Sequence, residues 1–330
     1  MKQFDLLGIG NSVVDVLYKV DESFIKNNNL KKGVMTLINE NKAQEIYSSL
    51  KKGLEVAGGS VANSTVGFAS LSGKPAFIGK IKNDDLGRAF SKSLLDSKVF
   101  YNTEPAVRGP GTARSFIFVT PDAQRTMNTF IGACSLLNPK DIDEEVVKNS
   151  KIIYLEGYCW EEELAKESLV KAAEIAHKYN NKVSLTLSDP FCVKKHRTEF
   201  KELIDKHVDI IFANEIEAKE LFESDNYEES AKEISSMTEI VAITKGGKGS
   251  KIYKNKEIIE IKPIVFEKVL DTTGAGDLFA AGFLYGLSKS FSILKSGNIA
   301  SIVAGEIISH FGARPEKNLF DLINKELKDK

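Results

Sequence analysis

The sequence has little cysteine, little proline, almost no net charge and no long apolar run. Its three cysteines, Cys134, Cys159 and Cys192, are odd in number and far apart, with no CxxC pairing. That excludes a disulfide framework and gives no zinc or redox motif; it suits a reducing cytoplasm. Eight prolines, no Pro- or Ser-rich linker and no internal repeat point to one interrupted domain over residues 1–330 rather than two beads. Forty-five basic against 46 acidic side chains leave a net charge of −1, which argues against a nucleic-acid or anionic-membrane partner. The charge-free stretch from Val56 to Gly73 is 18 residues long, but ten of these are Gly, Ser, Asn or Thr, so it reads as no membrane span. The start, MKQFDLLGIG, carries Asp5 and does not read as a signal peptide, so a soluble cytoplasmic protein is expected. His177, His196, His207 and His310 lack metal-binding spacing, and no Walker GxxxxGK[ST] occurs.

What the chain does have is alternation. Short β-rich runs at Phe4–Gly8, Ala76–Ile81, Ile152–Leu155, Val183–Leu187, Asp209–Ala213 and Ile240–Thr244 alternate with helical patterns. The helices are expected at Asn39–Lys51, Asp84–Ser97, Glu161–Tyr179, Thr198–His207 and Glu215–Glu223, with a helical tail at Ala275–Ser288, Phe291–Phe311 and Glu316–Lys328. This order predicts a three-layer α/β/α fold around a largely parallel sheet, whose ligands collect at the carboxyl ends of the strands. Two stretches break the rhythm: Val13–Val20 then Val34–Ile38, and Thr112–Thr120 then Arg125–Phe130. Both read as strand pairs without intervening helices, the second joined by a turn at Pro121-Asp122-Ala123-Gln124. They are expected to form a small β lid from about residues 13–38 and 100–130.

The most informative segment is Asp271-Thr272-Thr273-Gly274-Ala275-Gly276-Asp277, which runs into the apolar Leu278-Phe279-Ala280-Ala281-Gly282-Phe283-Leu284. A glycine turn feeding a helix N-terminus presents unpaired N–H groups and the positive end of the dipole, which suits a phosphate. Asp277 would sit in the first turn as a carboxylate able to take the proton of an acceptor hydroxyl, a pairing that fits phosphoryl transfer. Gly58-Gly59-Ser60-Val61-Ala62-Asn63 again opens a helix with glycines, and Ser60 and Asn63 share a helical face suited to sugar hydroxyls. Ser60 is equally an N-cap. Asn11 and Asp15, expected on one side of a strand, suit hydroxyl binding or simply a turn and a surface acid. Gly8-Ile9-Gly10-Asn11-Ser12-Val13 opens like a dinucleotide fingerprint but has Val13 at its third glycine position and no helix behind it. Asn214 and Glu217 suit a hydrated Mg²⁺ or a helix cap. Thr244-Lys245-Gly246-Gly247-Lys248-Gly249 is a nucleotide-lining loop or an ordinary turn, and Arg125 a phosphate contact or a solvated hairpin residue.

Taken in order, these motifs resemble the ribokinase-like (PfkB-type) carbohydrate and nucleoside kinases from Phe4 to about Pro315. AGGSVANS and GKIKNDDLG look like the family's first signature, DTTGAGDLFAAGFL like the second. GNSVVDVL, Leu187-Ser188-Asp189-Pro190-Phe191 and Asn214-Glu215-Ile216-Glu217-Ala218 look most like the adenosine-kinase branch. The resemblance implies a nine-stranded or similar core with a β lid, and transfer of the ATP γ-phosphate to a nucleoside 5′-hydroxyl with Mg²⁺. A sugar acceptor in the same fold is the nearest alternative, and an idle nucleotide-binding regulator the alternative of another class. It implies Asp277 as base with Gly274, Ala275 and Gly276 as anion hole. Asn11, Asp15, Gly58, Gly59, Ser60 and Asn63 would hold the sugar, Tyr158 and Phe191 would flank a purine, and Arg125 would reach the phosphates. Asn214, Thr244, Gly246, Gly249, Thr273 and Asn298 would serve ATP, with Glu217 near magnesium and Asp271 near K⁺. Thr273, Asp189 and Met35 stand where many adenosine kinases carry Asn, Ala and a polar purine contact. The chain would act as a monomer, or as a homodimer through the lid.

Overall fold

The computed structural model describes residues 2–33, 35–50, 53–122, 124–266 and 268–328. Val34, Lys51 and Ala123, which fall within an expected strand, helix and turn, lie outside the described residues.

In chain order the strands are β1 Phe4–Ile9, β2 Val13–Lys19, β3 Met35–Leu37, β4 Leu54–Ala57, β5 Pro75–Ile78, β6 Phe100–Tyr101, β7 Ala113–Val119 and β8 Arg125–Phe130. They continue with β9 Ser150–Glu156, β10 Lys182–Thr186, β11 Ile210–Asn214, β12 Ile240–Thr244, β13 Ser250–Lys254 and β14 Glu257–Ile261. Among the described residues they form a nine-stranded sheet in the order β14-β13-β12-β11-β10-β9-β1-β5-β6 and a five-stranded sheet in the order β3-β8-β7-β2-β4. The large sheet is parallel from β12 to β6, with β13 and β14 added antiparallel at one edge.

Both faces of the large sheet are buried, which is why its strands read as unbroken apolar runs. Successive side chains divide between two cores as strand geometry demands. Leu7, Ile9, Ile153, Leu155 and Ile211 pack on one face with the helices Glu163–Lys178 and Arg197–His207. Leu6, Ile152, Tyr154, Ile210 and Phe212 pack on the other with the helices Ser60–Ser70, Ala275–Ser288 and Ile293–Ile307. The expected three-layer α/β/α core is therefore present. Among the described residues no helix is long and apolar enough to cross a membrane.

The small sheet differs from its expected form in three ways. A helix, Glu22–Asn27, intervenes after β2, capped by Asp21 through the Phe24 N–H at 2.8 Å; at six residues it is too short to show a period in sequence. This helix and Glu40–Ser49 cover one face of the sheet, burying Val16, Ile25, Ala43, Ile46, Phe116 and Phe118, so the strands do not stand uncovered. β4 joins as an edge strand from outside the expected segments, while Phe100–Tyr101 pair with β5 in the large sheet. The uncovered face, alternate to that core, carries Asp15, Ser115, Ile117, Met127 and Thr129 toward the large sheet.

Candidate active site

Two cavities meet at the start of the helix Ala275–Ser288. One, of about 250 Å³, lies between the small sheet and the carboxyl ends of β1 and β9. The other, of about 280 Å³, lies over the Thr244–Ser250 loop and the helix Ile293–Ile307.

Gly274 makes the junction. Its φ of 77° is left-handed, a conformation that favours glycine, and it is the N-cap of the helix without any side-chain cap. The Leu278 N–H reaches back to the Gly274 carbonyl at 2.8 Å and the Ala275 N–H to Thr272 at 3.3 Å. The next two N–H groups, of Gly276 and Asp277, have no intrahelical acceptor, as the first turn of a helix requires. They form a positive corner beside the Asp277 carboxylate, where both cavities end.

Asp277 is held from the helix Ser60–Ser70. Ser60 Oγ donates to its Oδ1 at 2.6 Å, Asn63 Nδ2 to its Oδ2 at 3.0 Å and Ser64 Oγ to its carbonyl at 2.9 Å. Burial pushes its carboxyl up to about 6, against the pull of the two side-chain hydrogen bonds and the Arg314 charge. At neutral pH it is therefore ionised roughly ten to one, yet more basic than an ordinary aspartate.

The 250 Å³ cavity gathers most of the expected acceptor residues: Asn11, Asp15, Gly59, Ser60, Asn63, Tyr158 and Phe191. Asn11 reaches it from the loop after β1 and Asp15 from β2, so they share a cavity though not a strand. Gly58 does not line it but packs against Asp15: an added Cβ would fall 2.3 Å from Asp15 Oδ2. Thr273, expected to serve ATP, lines this 250 Å³ cavity, because the left-handed Gly274 turns the chain between the two cavities. Met35 is also in its wall, whereas Asp189 caps the helix Pro190–Lys195 through the Phe191 N–H at 2.7 Å.

Glu156 was not anticipated. It ends β9 almost fully buried, and its Oε2 accepts from the Val61 N–H at 3.0 Å and the Asn11 N–H at 3.3 Å, tying the loop after β1 to the helix Ser60–Ser70. Burial raises it to about 8, with Asp277 adding to the effect; burial likewise lifts Asp15 to about 7 against the nearby arginine charges. Its only sequence signal is an acid closing an apolar strand at the carboxyl edge, where ligands of such sheets collect.

The 280 Å³ cavity is lined by Thr244, Gly246 and Gly249, together with Gly276, Phe279, Ala304 and Ile308. Asn298 and Asn214 are not among its lining residues. Asn214 and Glu217 instead form a capping box. Glu217 accepts from the Asn214 N–H at 3.0 Å and side-chain amide at 2.6 Å, while Asn214 Oδ1 accepts from the N–H groups of Ile216 and Glu217. Asp271 is fully engaged as well: it accepts from Thr273 N–H at 2.7 Å and Gly312 N–H at 2.8 Å and is ion-paired to Arg125. Each oxygen of the two carboxylates expected near cations thus accepts a hydrogen bond or ion pair from within the chain. The Arg125–Asp271 pair also ties β8 of the small sheet to the loop that leads into Gly274.

This geometry has counterparts. The signature of the pfkB family carbohydrate kinases matches residues 35–318. A probable sugar kinase protein from Rhizobium etli is 40% identical, each chain covering 99% of the other, with a TM-score of 0.94. An adenosine kinase from Sinorhizobium meliloti is 39% identical over 98% of this chain and 99% of its own, with a TM-score of 0.93. A 5-dehydro-2-deoxygluconokinase from Clostridium beijerinckii is 30% identical over 88% of this chain and 89% of its own. The fold and site are those of a small-molecule kinase, a phosphotransferase with an alcohol acceptor. The chain belongs to the PfkB family, whose kinase chemistry uses ATP and typically a divalent metal.

Proposed function

We propose that the chain transfers the γ-phosphate of ATP to the 5′-hydroxyl of a nucleoside, with adenosine as the first acceptor to test. The observation that carries this is the mixed lining of the 250 Å³ cavity. Its lining combines Asp277, Asn63, Asn11, Asp15 and Glu156, suited to sugar hydroxyls, with the apolar side chains of Met35, Leu37, Ile117, Met127 and Phe191. Phe191 is 60% exposed, a large ring left open at the cavity mouth. A free sugar carries hydroxyls all round and leaves those apolar side chains unmatched, while a purine has a flat face to lay against them.

In this reading Asp277 accepts the proton of the acceptor hydroxyl as its oxygen attacks. Ser60 and Asn63 fix the direction of the carboxylate, and the free N–H groups of Gly276 and Asp277 at the helix start stabilise charge on the transferring phosphoryl group. Thr244, Gly246 and Gly249 line the nucleotide. The small sheet acts as the lid, shielding the reacting oxygen from water.

A sugar acceptor is the second reading, favoured by the carboxylate-rich floor of the cavity, which offers more hydroxyl acceptors than a ribose needs. ADP release from ATP and Mg²⁺ with adenosine, inosine, guanosine, ribose and fructose separates the two. Turnover confined to nucleosides supports the first reading, and efficient turnover of a free sugar replaces it with the second. Phe191→Ala gives an internal check. It is expected to raise KM for the nucleoside about tenfold, the scale of one lost stacking contact, with little change for a free sugar. Equal effects on both would remove the base-stacking role.

A further inference from the structure

Arg314 lies in the irregular segment after the helix Ile293–Ile307 and lines neither cavity. Its Nε donates to the Ala57 carbonyl at 2.9 Å and its Nη1 to the Ala62 carbonyl at 3.4 Å. Those two carbonyls bracket the Gly58-Gly59-Ser60 turn, one at the end of β4 and the other in the first turn of the next helix. The third nitrogen, Nη2, is buried without a hydrogen-bond partner. A buried guanidinium with a free N–H pair is costly where only packing is needed. Two properties set arginine apart at such a place: a rigid fork that holds two carbonyls at once, and a charge that burial does not remove.

We propose that Arg314 is a positioning residue for phosphoryl transfer, clamping the turn that presents Ser60 and Asn63 and fixing a positive charge behind the carboxylates of Asp15 and Asp277. The proposal rests on the kinase reading of the site. The groups that face Asp277 are Ser60 and Asn63 from the helix Ser60–Ser70, Asp15 from β2, Tyr154 and Glu156 from β9, Tyr158 just beyond it, and Arg314. Among these Arg314 is the one cation, and its charge lowers both Asp277 and Asp15; burial in turn pulls the guanidinium down to about 10. Without it, the carboxylate that accepts the proton stands among acids and loses its counter-charge. The Ser60 turn is freed by the same change.

The test uses the full chain as wild type, Arg314→Gln and Arg314→Lys. Carboxyl-carbon NMR of labelled aspartates, with Asp277→Asn marking the signal, follows the Asp277 titration directly. Turnover of adenosine is measured alongside at about pH 6 and about pH 8. In Arg314→Gln the Asp277 midpoint is expected to rise by about one pH unit, so that turnover falls about fivefold further at the lower pH than at the higher. Arg314→Lys keeps the charge and the midpoint but loses turnover equally at both pH values, because one ammonium cannot hold both carbonyls. An Asp277 titration unmoved in Arg314→Gln overturns the proposal. If that variant does not fold, the lysine variant decides, and a midpoint displaced there despite the retained charge overturns the proposal equally. A wild-type chain that phosphorylates no acceptor would sink the kinase reading instead, while the NMR titration still reports on Arg314.

Discussion

Asp277→Asn is expected to cut turnover by about 10²-fold or more, the scale of a lost general base, while ATP binding stays within about twofold. The structure indicates why the variant should remain folded. Asp277 accepts from Ser60 Oγ and from Asn63 Nδ2, and Asn63 Oδ1 is buried with no partner. A flip of the Asn63 amide turns that oxygen toward the new NH₂ group, so the substitution leaves no additional unpaired atom. What disappears is the capacity to take a proton. The wild-type pH profile should carry the same signature: with Asp277 raised to about 6, kcat/KM falls as pH drops through that value, because the protonated carboxyl cannot accept the hydroxyl proton. The residual activity of Asp277→Asn should lack this acid limb. Steady-state kinetics across pH with calorimetric ATP binding measures both effects, and near-normal turnover in the variant would remove Asp277 from the mechanism.

The parts of the site legible in sequence are those whose chemistry is local. In DTTGAGD the glycine turn, the helix start and the acid are consecutive, and the helix Ala275–Ser288 has the bounds its pattern predicts. The N-x-x-E at Asn214 reads by itself more readily as a cap than as a cation site, and its geometry here is a cap. The parallel core was legible because burial on both faces makes each strand an apolar run. Glu156 and Arg314 were not, since their roles come from contacts across the fold. Arg314 meets Ala57 across 257 residues, and no local pattern encodes such a pairing. Thr273 illustrates a finer limit: one left-handed residue decides which cavity its side chain enters. β4 and the helix Glu22–Asn27 were too short for periodicity to mark.

Gly59→Ala is expected to be nearly as damaging as loss of the base, for a purely steric reason. Gly59 is the N-cap of the helix Ser60–Ser70, with φ of 95°, a region that residues with a Cβ rarely enter. An added Cβ would stand 2.3 Å from the Asn11 carbonyl oxygen, so that backbone and not a pliable side chain would have to yield. The strain alone is about 1–3 kcal/mol, and the collision adds to it. Either Asn11 or the turn must move, and both hold the acceptor end of the site; Ser60, next in sequence, would be drawn off Asp277 Oδ1. A displacement on the order of 1 Å there costs about 10²-fold in turnover. Gly276→Ala is the contrast, because its φ is ordinary and nothing lies within 4 Å of an added Cβ, so its melting temperature should match wild type. Thermal unfolding and steady-state kinetics of both variants read the prediction. Wild-type stability and turnover in Gly59→Ala would mean that this turn does not set the position of Ser60 against Asp277.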